Sequence, residues 1–439
     1  MANDRWSGLF RALRSRNFKL FVAGQGVSLI GTWMQQVAMS WLIYRLTGSA
    51  LMLGILGFTS QIPTFLIAPA AGVLADRAYR RRLLIVTQTL SMIQALVIAG
   101  AVFFEAIEVW HLIALSIFLG LVNGFDIPIR QSFVVEMVEG KEDLGNAIAL
   151  NSSMVHAARL VGPAVAGLLV ASVGEGTCFA LNAASYLGVI FALAAMRLTP
   201  RTGDGRPRKH PLHELKEGFD YAYGFGPIKS LLMVIALVSF AGMPYAVLIP
   251  IFAKEVLGGG AHTFGFLVAA SGIGSLAATV FLASRKSVLG LGRIMTWGLF
   301  LVSAGITIFA LSNHMVLSLA ALVVTGWGVM SVIAAGNTIL QTILEEDKRG
   351  RVMSFFTMAF MGMAPFGSLG AGAMAGAIGP RDTLLLGGVG CLAGAALFAR
   401  QLPHIREKVR PIYVRMGIIR EVANGMETAA EQPPLRENL

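Results

Sequence analysis

Arg159 is the residue of this sequence with the clearest chemical potential, because it is a cation within a long apolar run at residues 147–173. It stands about twelve residues into that run, roughly 18 Å along a helix at about 1.5 Å per residue. A charge at such depth is energetically expensive and is expected to face protein or water. Helical spacing places Asn151 and Arg159 on one face, with His156 beside them. Arg159 therefore either binds backbone carbonyls across a helix interface or attracts an anionic ligand, and both interpretations stay open.

The other reactive residues form no catalytic or metal-binding pattern. His111, His156 and His314 have no Ser and Asp companions that would make a transferase site. Cys178 and Cys391 lie in apolar segments and lack the spacing of metal ligands or of a disulfide framework. The phosphate-binding run G-x-x-x-x-G-K-[ST] is absent from the sequence. We therefore expect neither enzyme activity nor a metal or cofactor.

The composition indicates that membrane helices position these residues. Hydrophobic residues make up 55% of the 439 residues and charged residues 13%, about half of the roughly 25% charge found in soluble domains. About twenty apolar residues cross a bilayer as a helix, which satisfies its own backbone. The sequence therefore predicts an all-α membrane protein with twelve transmembrane helices. The twelve apolar runs fall at about 18–45, 51–75, 83–104, 111–134, 147–173, 177–197, 229–252, 262–284, 294–312, 315–343, 352–378 and 383–400.

The placement of Lys and Arg predicts the orientation of these helices. The chain has 35 such residues and a formal net charge of +11. With the N-terminus in the cytoplasm, all of them fall in cytoplasmic segments except Arg45, Arg159, Lys254 and Arg381. This asymmetry predicts that both termini are cytoplasmic in a multi-pass protein of the bacterial inner membrane. It also accounts for the basic charge, so no nucleic-acid partner is expected.

A polar stretch divides the apolar runs into two sets of six. It begins PRTGDGRPRKHP and then becomes amphipathic, which fits either a short surface helix or a partly ordered connection. The expected segments are an N-terminal six-helix bundle with its cytoplasmic tail at 1–197, a linker at 198–228, a C-terminal six-helix bundle at 229–400 and a cytoplasmic tail at 401–439.

The turn after the second apolar run carries a recognisable motif, GVLADRAYRRR, from Gly72 to Arg82. The major facilitator superfamily has the pattern G-x-L-a-D-r-x-G-r-R/K-R/K between its second and third helices. Here Gly72, Asp76, Arg77 and the basic run that includes Arg81 stand at matching positions, while Tyr79 replaces the second glycine. The chain therefore resembles that superfamily, and the resemblance covers nearly its whole length.

This resemblance implies the major facilitator fold and a cytoplasmic latch made of Gly72, Asp76, Arg77, Arg81 and Asp126. Gly72 leaves helix two smooth for close approach. Asp76 is expected to face the N-terminus of helix eleven, where the helix dipole favours an anion. Arg77 is expected to pair with Asp126 of helix four. The alternative is that the arginines merely obey the preference for basic cytoplasmic loops.

Helix five contains a second element, with Gly162, Pro163 and Gly167. It resembles the G-P-x-x-G-G element of exporters and antiporters in this superfamily, although the final paired glycine is missing and the spacing is looser by one residue. The resemblance implies a bend in helix five and close approach of helix eight, where Gly274 offers a small surface. The runs DIPIRQ and ARLVGPAVAG also resemble the branch that contains the enterobactin exporter and macrolide efflux proteins. Similar small-residue patterns occur in many membrane helices, so a purely structural role stays open.

Polar residues within the cavity-lining helices of this fold are candidates for the substrate path. Hydrogen bonding between helices is the alternative for each single amide. The candidates are Gln25, Thr32, Gln35, Gln36, Asn123, Asn151, His156, Arg159, Tyr245, Trp327, Asn337 and Gln341.

The sequence and the resemblance together predict a secondary active exporter of a small amphipathic compound, such as a drug, siderophore or metabolite. It is expected to work as a monomer by alternating access, with protons as the coupling ion by resemblance alone. Asp126 and His156 are the titratable candidates for that coupling. A lipid or lysolipid flippase on the same fold is the first alternative. A non-transporting membrane sensor is the second.

Replacement of Asp76 by Asn tests the latch. We expect Asp76→Asn to slow transport while substrate affinity stays largely intact, because the carboxylate acts between conformations and not on the substrate. Flux in proteoliposomes and equilibrium binding to the purified protein measure the two effects. Loss of binding in a normally folded variant would contradict the latch.

Overall fold

The computed structural model describes residues 11–77, 79–138, 140–197, 220–285 and 287–419. Within these ranges the side chains of residues 69, 70, 72–77, 141 and 347 are outside the description. Every regular element of the described residues is a helix. The predicted all-α class is therefore confirmed for this part of the chain.

Six long helices form the first half. Gly48, with φ of +60°, ends the first of them. Gly174, with φ of +83°, makes the tight turn between the fifth and sixth, because glycine adopts positive φ without steric cost. The six helices are α1 Arg16–Thr47, α2 Ala50–Arg77, α3 Arg80–Phe103, α4 Val109–Phe133, α5 Leu144–Val173 and α6 Glu175–Ala195.

Six further helices form the second half, and two of them contain π-helical turns. These turns are Val238–Gly242 and Phe252–Val256 in α7 and Met358–Gly362 in α11. The last helix runs past residue 400 to Arg415. The six helices are α7 Gly226–Val256, α8 Ala261–Ala283, α9 Leu291–Leu311, α10 Met315–Ile343, α11 Lys348–Ile378 and α12 Pro380–Arg415.

Eleven of these helices, α2 to α12, are long and apolar enough to cross a membrane. The remaining helix, α1, has 32 residues and therefore sufficient length. It falls short in apolarity because glutamines and glycines interrupt it, among them Gln25, Gln35 and Gln36. It nevertheless packs against α5 and α6. A twelfth membrane crossing by α1 and cytoplasmic termini stay predictions.

The two sets of six helices pack in the same pattern. In the first half α1 contacts α5 and α6, α2 contacts α4, and α3 contacts α4 and α6. In the second half α7 contacts α11 and α12, α8 contacts α10, and α9 contacts α10 and α12. Each pair of the second half is thus a pair of the first half shifted by six helices. This is the arrangement of two parallel structural repeats.

The halves meet along two helix pairs, α2 with α11 and α5 with α8. Glycines lie at both crossings. A Cβ on Gly372 would lie 2.6 Å from the Cα of Gly54, and a Cβ on Gly265 would lie 2.7 Å from the Cα of Gly167. Such distances leave no room for a side chain, so the backbones of the two halves are in direct contact, as is common between membrane helices.

The expectation that Gly274 faces helix five is wrong. A Cβ there would lie 1.9 Å from the carbonyl oxygen of Val323 in α10, so Gly274 allows close packing within the second half. The surface of α8 that contacts α5 instead contains Gly265 and Gly272. These two glycines are seven residues apart and share one face, whereas Gly274 lies two residues further on, about 200° around the helix.

A valine at the crossing of α2 and α11 tests this contact. We expect Gly372→Val to lower the stability of the purified protein by about 1–3 kcal/mol, because overpacking forces backbones apart. Gly376→Val is the matched control, since Gly376 lies one turn later on the same helix with nothing within 4 Å of its Cβ position. Thermal unfolding of both variants measures the difference, and equal unfolding temperatures would contradict the close crossing.

Candidate functional site

Side chains from four helices meet around Arg159 at the contact between the two halves. The guanidinium carbon of Arg159 in α5 lies 5.5 Å from the ring centroid of Trp33 in α1. The hydroxyl of Tyr245 in α7 faces Ser271 of α8 and lies within electrostatic reach of Arg159. We call Trp33, Arg159, Tyr245 and Ser271 the central cluster. It combines one cation, two hydroxyl groups and a large aromatic ring.

Glycines on neighbouring helices fix the geometry of the central cluster. A Cβ on Gly162 would lie 2.5 Å from the Cβ of Trp33, so α1 and α5 touch directly beside that ring. A Cβ on Gly272 would lie 3.3 Å from the carbonyl oxygen of Arg159, so α8 lies against α5 at the level of the arginine. Close packing on both sides therefore holds the backbone of Arg159 in place.

Arg159 carries a charge that no acid neutralises within the described ranges. Its side chain is half-buried. The neighbouring helices hold their acids elsewhere: Asp126 is paired with Arg130, and Glu175 is paired with Arg45. A guanidinium that is partly removed from water without a counterion attracts anions strongly, because its charge is poorly screened. The central cluster is consequently a positive region.

The predicted path residue Gln35 lies in a buried network inside the first half. Its amide group donates to the side-chain oxygen of Gln94 at 2.8 Å and accepts from Asn182 at 2.7 Å. Gln94 also donates to the carbonyl oxygen of Leu115 at 3.2 Å. This network joins α1, α3, α4 and α6, a position that favours a structural role for Gln35.

Asp126 is 3% exposed and is held by α3. The hydroxyl of Thr87 and the amide of Gln88 both donate to one carboxylate oxygen at 2.8 Å. The guanidinium of Arg130, one turn later on α4, lies 3.4 Å from the other oxygen. The carboxylate therefore has partners within the first half, whatever it does toward the predicted latch.

The other latch residues divide into two groups. The side chains of Gly72, Asp76 and Arg77 lie outside the described residues, so the latch stays a prediction. Arg81 donates to the carbonyl oxygen of Ala194 at 2.6 Å, at the end of α6. In the structure Arg81 thus connects two helices of the same half.

The remaining path candidates lie at several depths. On α1, Gln25 is buried, Thr32 donates to the carbonyl oxygen of Ser28 at 2.9 Å, and Gln36 is exposed. Asn123 and Asn151 are half-buried.

Two helices carry the last four candidates. His156 of α5 is half-buried and lies within electrostatic reach of Arg159. On α10, the ring of Trp327 lies 5.5 Å from that of Phe281, and exposed Gln341 donates to Asn337 at 3.0 Å. Among the twelve candidates, His156 and Tyr245 lie within electrostatic reach of Arg159.

A polar contact between the halves was missed by the sequence reasoning. At the end of α1 the hydroxyl of Tyr44 donates to the carboxylate of Glu255 in α7. The ammonium of Lys254 lies 5.6 Å from the ring centroid of Tyr44. Nearby, the rings of Trp41 in α1 and Phe264 in α8 stack at 6.1 Å. A signal was present, because Lys254 and Glu255 are charges directly after an apolar run.

Two parallel six-helix repeats around a central polar cluster are the fold of a major facilitator superfamily transporter. Residues 7–413 of the chain match one family of this superfamily, which is described as transmembrane secretion effector. The chain belongs to this family and is a multi-pass bacterial membrane protein, which confirms the resemblance found in the sequence.

Three relatives are named as transporters or efflux proteins. The chain is 24% identical to the staphyloferrin A transporter of Staphylococcus aureus, over 80% of this chain and 87% of that protein. It is 26% identical to macrolide efflux protein A of Streptococcus pyogenes, over 83% and 91%. It is 23% identical to the multidrug efflux pump Tap of Mycolicibacterium fortuitum, over 88% and 93%.

Solved structures support the fold. A bacterial homologue of the human lysosomal transporter Spinster, in an inward-facing and unoccupied conformation, matches with a TM-score of 0.71 at 15% identity, covering 90% of this chain and 98% of that one. The nucleoside transporter NupG matches with a TM-score of 0.64 at 14% identity, covering 90% and 99%.

Substitutions at two adjacent glutamines, buried Gln35 and exposed Gln36, test the structural role of Gln35. We expect Gln35→Ala to lower the stability of the protein by about 1–2 kcal/mol, because Gln94 and Asn182 lose partners in a buried site. Gln36→Ala is the matched control and should unfold at the wild-type temperature. Thermal unfolding of the purified variants measures both, and an unaffected Gln35→Ala would contradict the structural role.

Proposed function

We propose that this protein is a secondary active exporter of a small amphipathic compound and works by alternating access. The observation that carries the proposal is the position of the central cluster, between two repeats that meet at two glycine crossings. A substrate held at such a point contacts both halves. Rocking of one half against the other then changes which side of the membrane the substrate can reach.

The distribution of contacts between the halves supports a conformation that is closed at one end. Two of these contacts, Tyr44 with Glu255 and Trp41 with Phe264, lie at the C-terminal end of α1. Toward the other end, Ser152 and Ser153 of α5 and Gln341 of α10 are exposed. If the termini are cytoplasmic, the end with these contacts is external and the exposed polar residues lie toward the cytoplasm, where an exporter collects its substrate.

The direction of transport and the substrate class rest on the relatives. Two of the three are named for efflux, one of macrolides and one of multiple drugs, and the third transports a siderophore. Drugs of this kind combine apolar rings with a few polar groups. The aromatic ring and hydroxyl groups of the central cluster suit a compound of that type.

The protein, we propose, is coupled to protons, works as a monomer and crosses the membrane twelve times. A proton antiporter needs a titratable group that the substrate or the conformation can influence. Asp126 and His156 are the residues we propose for this role. His156 lies within electrostatic reach of Arg159, and Asp126 is buried among polar side chains. A monomer contains both repeats and therefore a complete site.

Flux in proteoliposomes under an imposed pH gradient tests this function. The compounds are a fluorescent dye, a macrolide, a siderophore and lysophosphatidylcholine. We expect movement of at least one of the first three against its gradient. Collapse of the pH gradient by an ionophore should abolish that movement.

Protein-free liposomes give the background leak. Flux at that background for all four compounds would refute transport. Flux that the ionophore leaves unchanged would remove antiport but leave transport standing. Flux of lysophosphatidylcholine alone would favour a lipid flippase over an exporter of drug-like compounds.

A further inference from the structure

Arg159 has unused hydrogen-bonding capacity. An arginine has five N–H donors in one plane. The guanidinium carbon of Arg159 lies over the Trp33 ring at 5.5 Å, and a contact with an aromatic ring uses the charge without requiring conventional hydrogen bonds from the donors. In the part of the chain that the structure describes, no hydrogen bond or ion pair uses the Arg159 side chain. A planar edge of this kind matches a carboxylate, which can accept two parallel hydrogen bonds.

The surroundings of Arg159 strengthen its preference for an anion. The hydroxyl groups of Tyr245 and Ser271 face each other, and such a pair keeps one O–H that can donate to a bound oxygen. The acids of adjoining helices have partners other than Arg159: Asp126 pairs with Arg130, and Glu255 accepts a hydrogen bond from Tyr44. The described cluster contains no carboxylate that could offset the charge of Arg159. A cationic ligand is therefore disfavoured, because like charges repel strongly in a site of low dielectric.

The aromatic side of the cluster selects the rest of the ligand. The Cβ of Trp33 lies directly against Gly162, so the backbone of α1 is close to α5 where the Trp33 ring adjoins the guanidinium. A flat apolar group of a ligand can pack on such a ring while its charged group reaches the arginine. The spacing of 5.5 Å between the ring and the guanidinium carbon places both contacts within one small molecule.

We infer that the central cluster binds an amphipathic organic anion, with its carboxylate on Arg159 and its apolar body against Trp33. The hydroxyl pair of Tyr245 and Ser271 supplies a further hydrogen bond from the second half, so the anion joins the two repeats. This inference rests on the proposed function, because it names the substrate class of the same site. It also gives the arginine a role that packing alone does not require.

Three probes of one shape and different charge test the inference. They are 1-naphthylacetate, its neutral amide and the cationic 2-(1-naphthyl)ethylamine. Binding to the purified full-length protein is measured by titration calorimetry. We expect wild-type protein to bind the carboxylate at least about tenfold more tightly than the amide, in line with a charge-assisted bidentate contact. The amine should bind most weakly. Equal affinities for the carboxylate and the amide would overturn the inference without any variant.

Variants then assign the preference to Arg159. Arg159→Gln should bring the carboxylate to the affinity of the amide and leave the amide unchanged, whereas Arg159→Lys should keep part of the preference. Arg381→Gln is the matched control, because Arg381 is exposed at the start of α12 and its loss removes the same charge. A carboxylate preference that survives Arg159→Gln would overturn the assignment. Size-exclusion profiles and unfolding temperatures show whether each variant is folded. If Arg159→Gln does not fold, a reduced carboxylate preference in Arg159→Lys tests the assignment instead.

Flux of the same probes in proteoliposomes separates this inference from the proposed function. A carboxylate preference in binding, with no gradient-driven flux of these probes or of the four compounds above, would support the anion site and contradict the exporter. Gradient-driven flux of all three probes at equal rates would support the exporter and contradict the anion site.

Discussion

Direct backbone contact between helices of opposite halves is the constraint on which this structure depends. In lipid there is little hydrophobic drive to bring apolar helices together, so close packing of small residues has to hold them. Gly54 with Gly372 and Gly167 with Gly265 supply that packing. Each crossing is narrow, because no side chain fits between the two backbones. Under the alternating access that we propose, these two crossings are the contacts about which the halves would rotate.

The polar residues of the first half are arranged around this framework in two different ways. Gln35, Gln94 and Asn182 satisfy one another and join four helices, which keeps that bundle rigid. Arg159 is placed where α5 meets α8, and its side chain is left without an acid in the described ranges. An arginine without a counterion, on the surface that faces the second half, is what the binding site that we propose between the halves requires.

The sequence was sufficient for the all-α class and the family, because these depend on long apolar runs and one local motif. The importance of Arg159 was also visible, since a charge within an apolar run is rare. The sequence did not predict which neighbouring helix each residue contacts, or whether its side chain is buried. Gly274 and Gly272 are both small residues in the same helix, and only the packing of α8 decides which contacts α5. Gln35 and Gln36 are neighbours with the same side chain, yet one is buried and the other exposed. The contact of Tyr44 with Glu255 joins residues far apart in the chain, and no local pattern predicts such a pair.

The π turn Val238–Gly242 in α7 has a consequence for the aim of Tyr245. Its bond from the amide of Met243 to the carbonyl of Val238 encloses one more residue than an α-helical bond. One additional residue changes the azimuth of everything that follows by about 100°. The hydroxyl of Ser239 donates at 2.7 Å to the carbonyl of Phe360, in the π turn of α11. The two irregular turns are therefore coupled, and the angular phase of α7 is locked to that of its neighbour. Tyr245, three residues after this turn, therefore faces Ser271 of α8 from an azimuth that an uninterrupted α-helix would not give it.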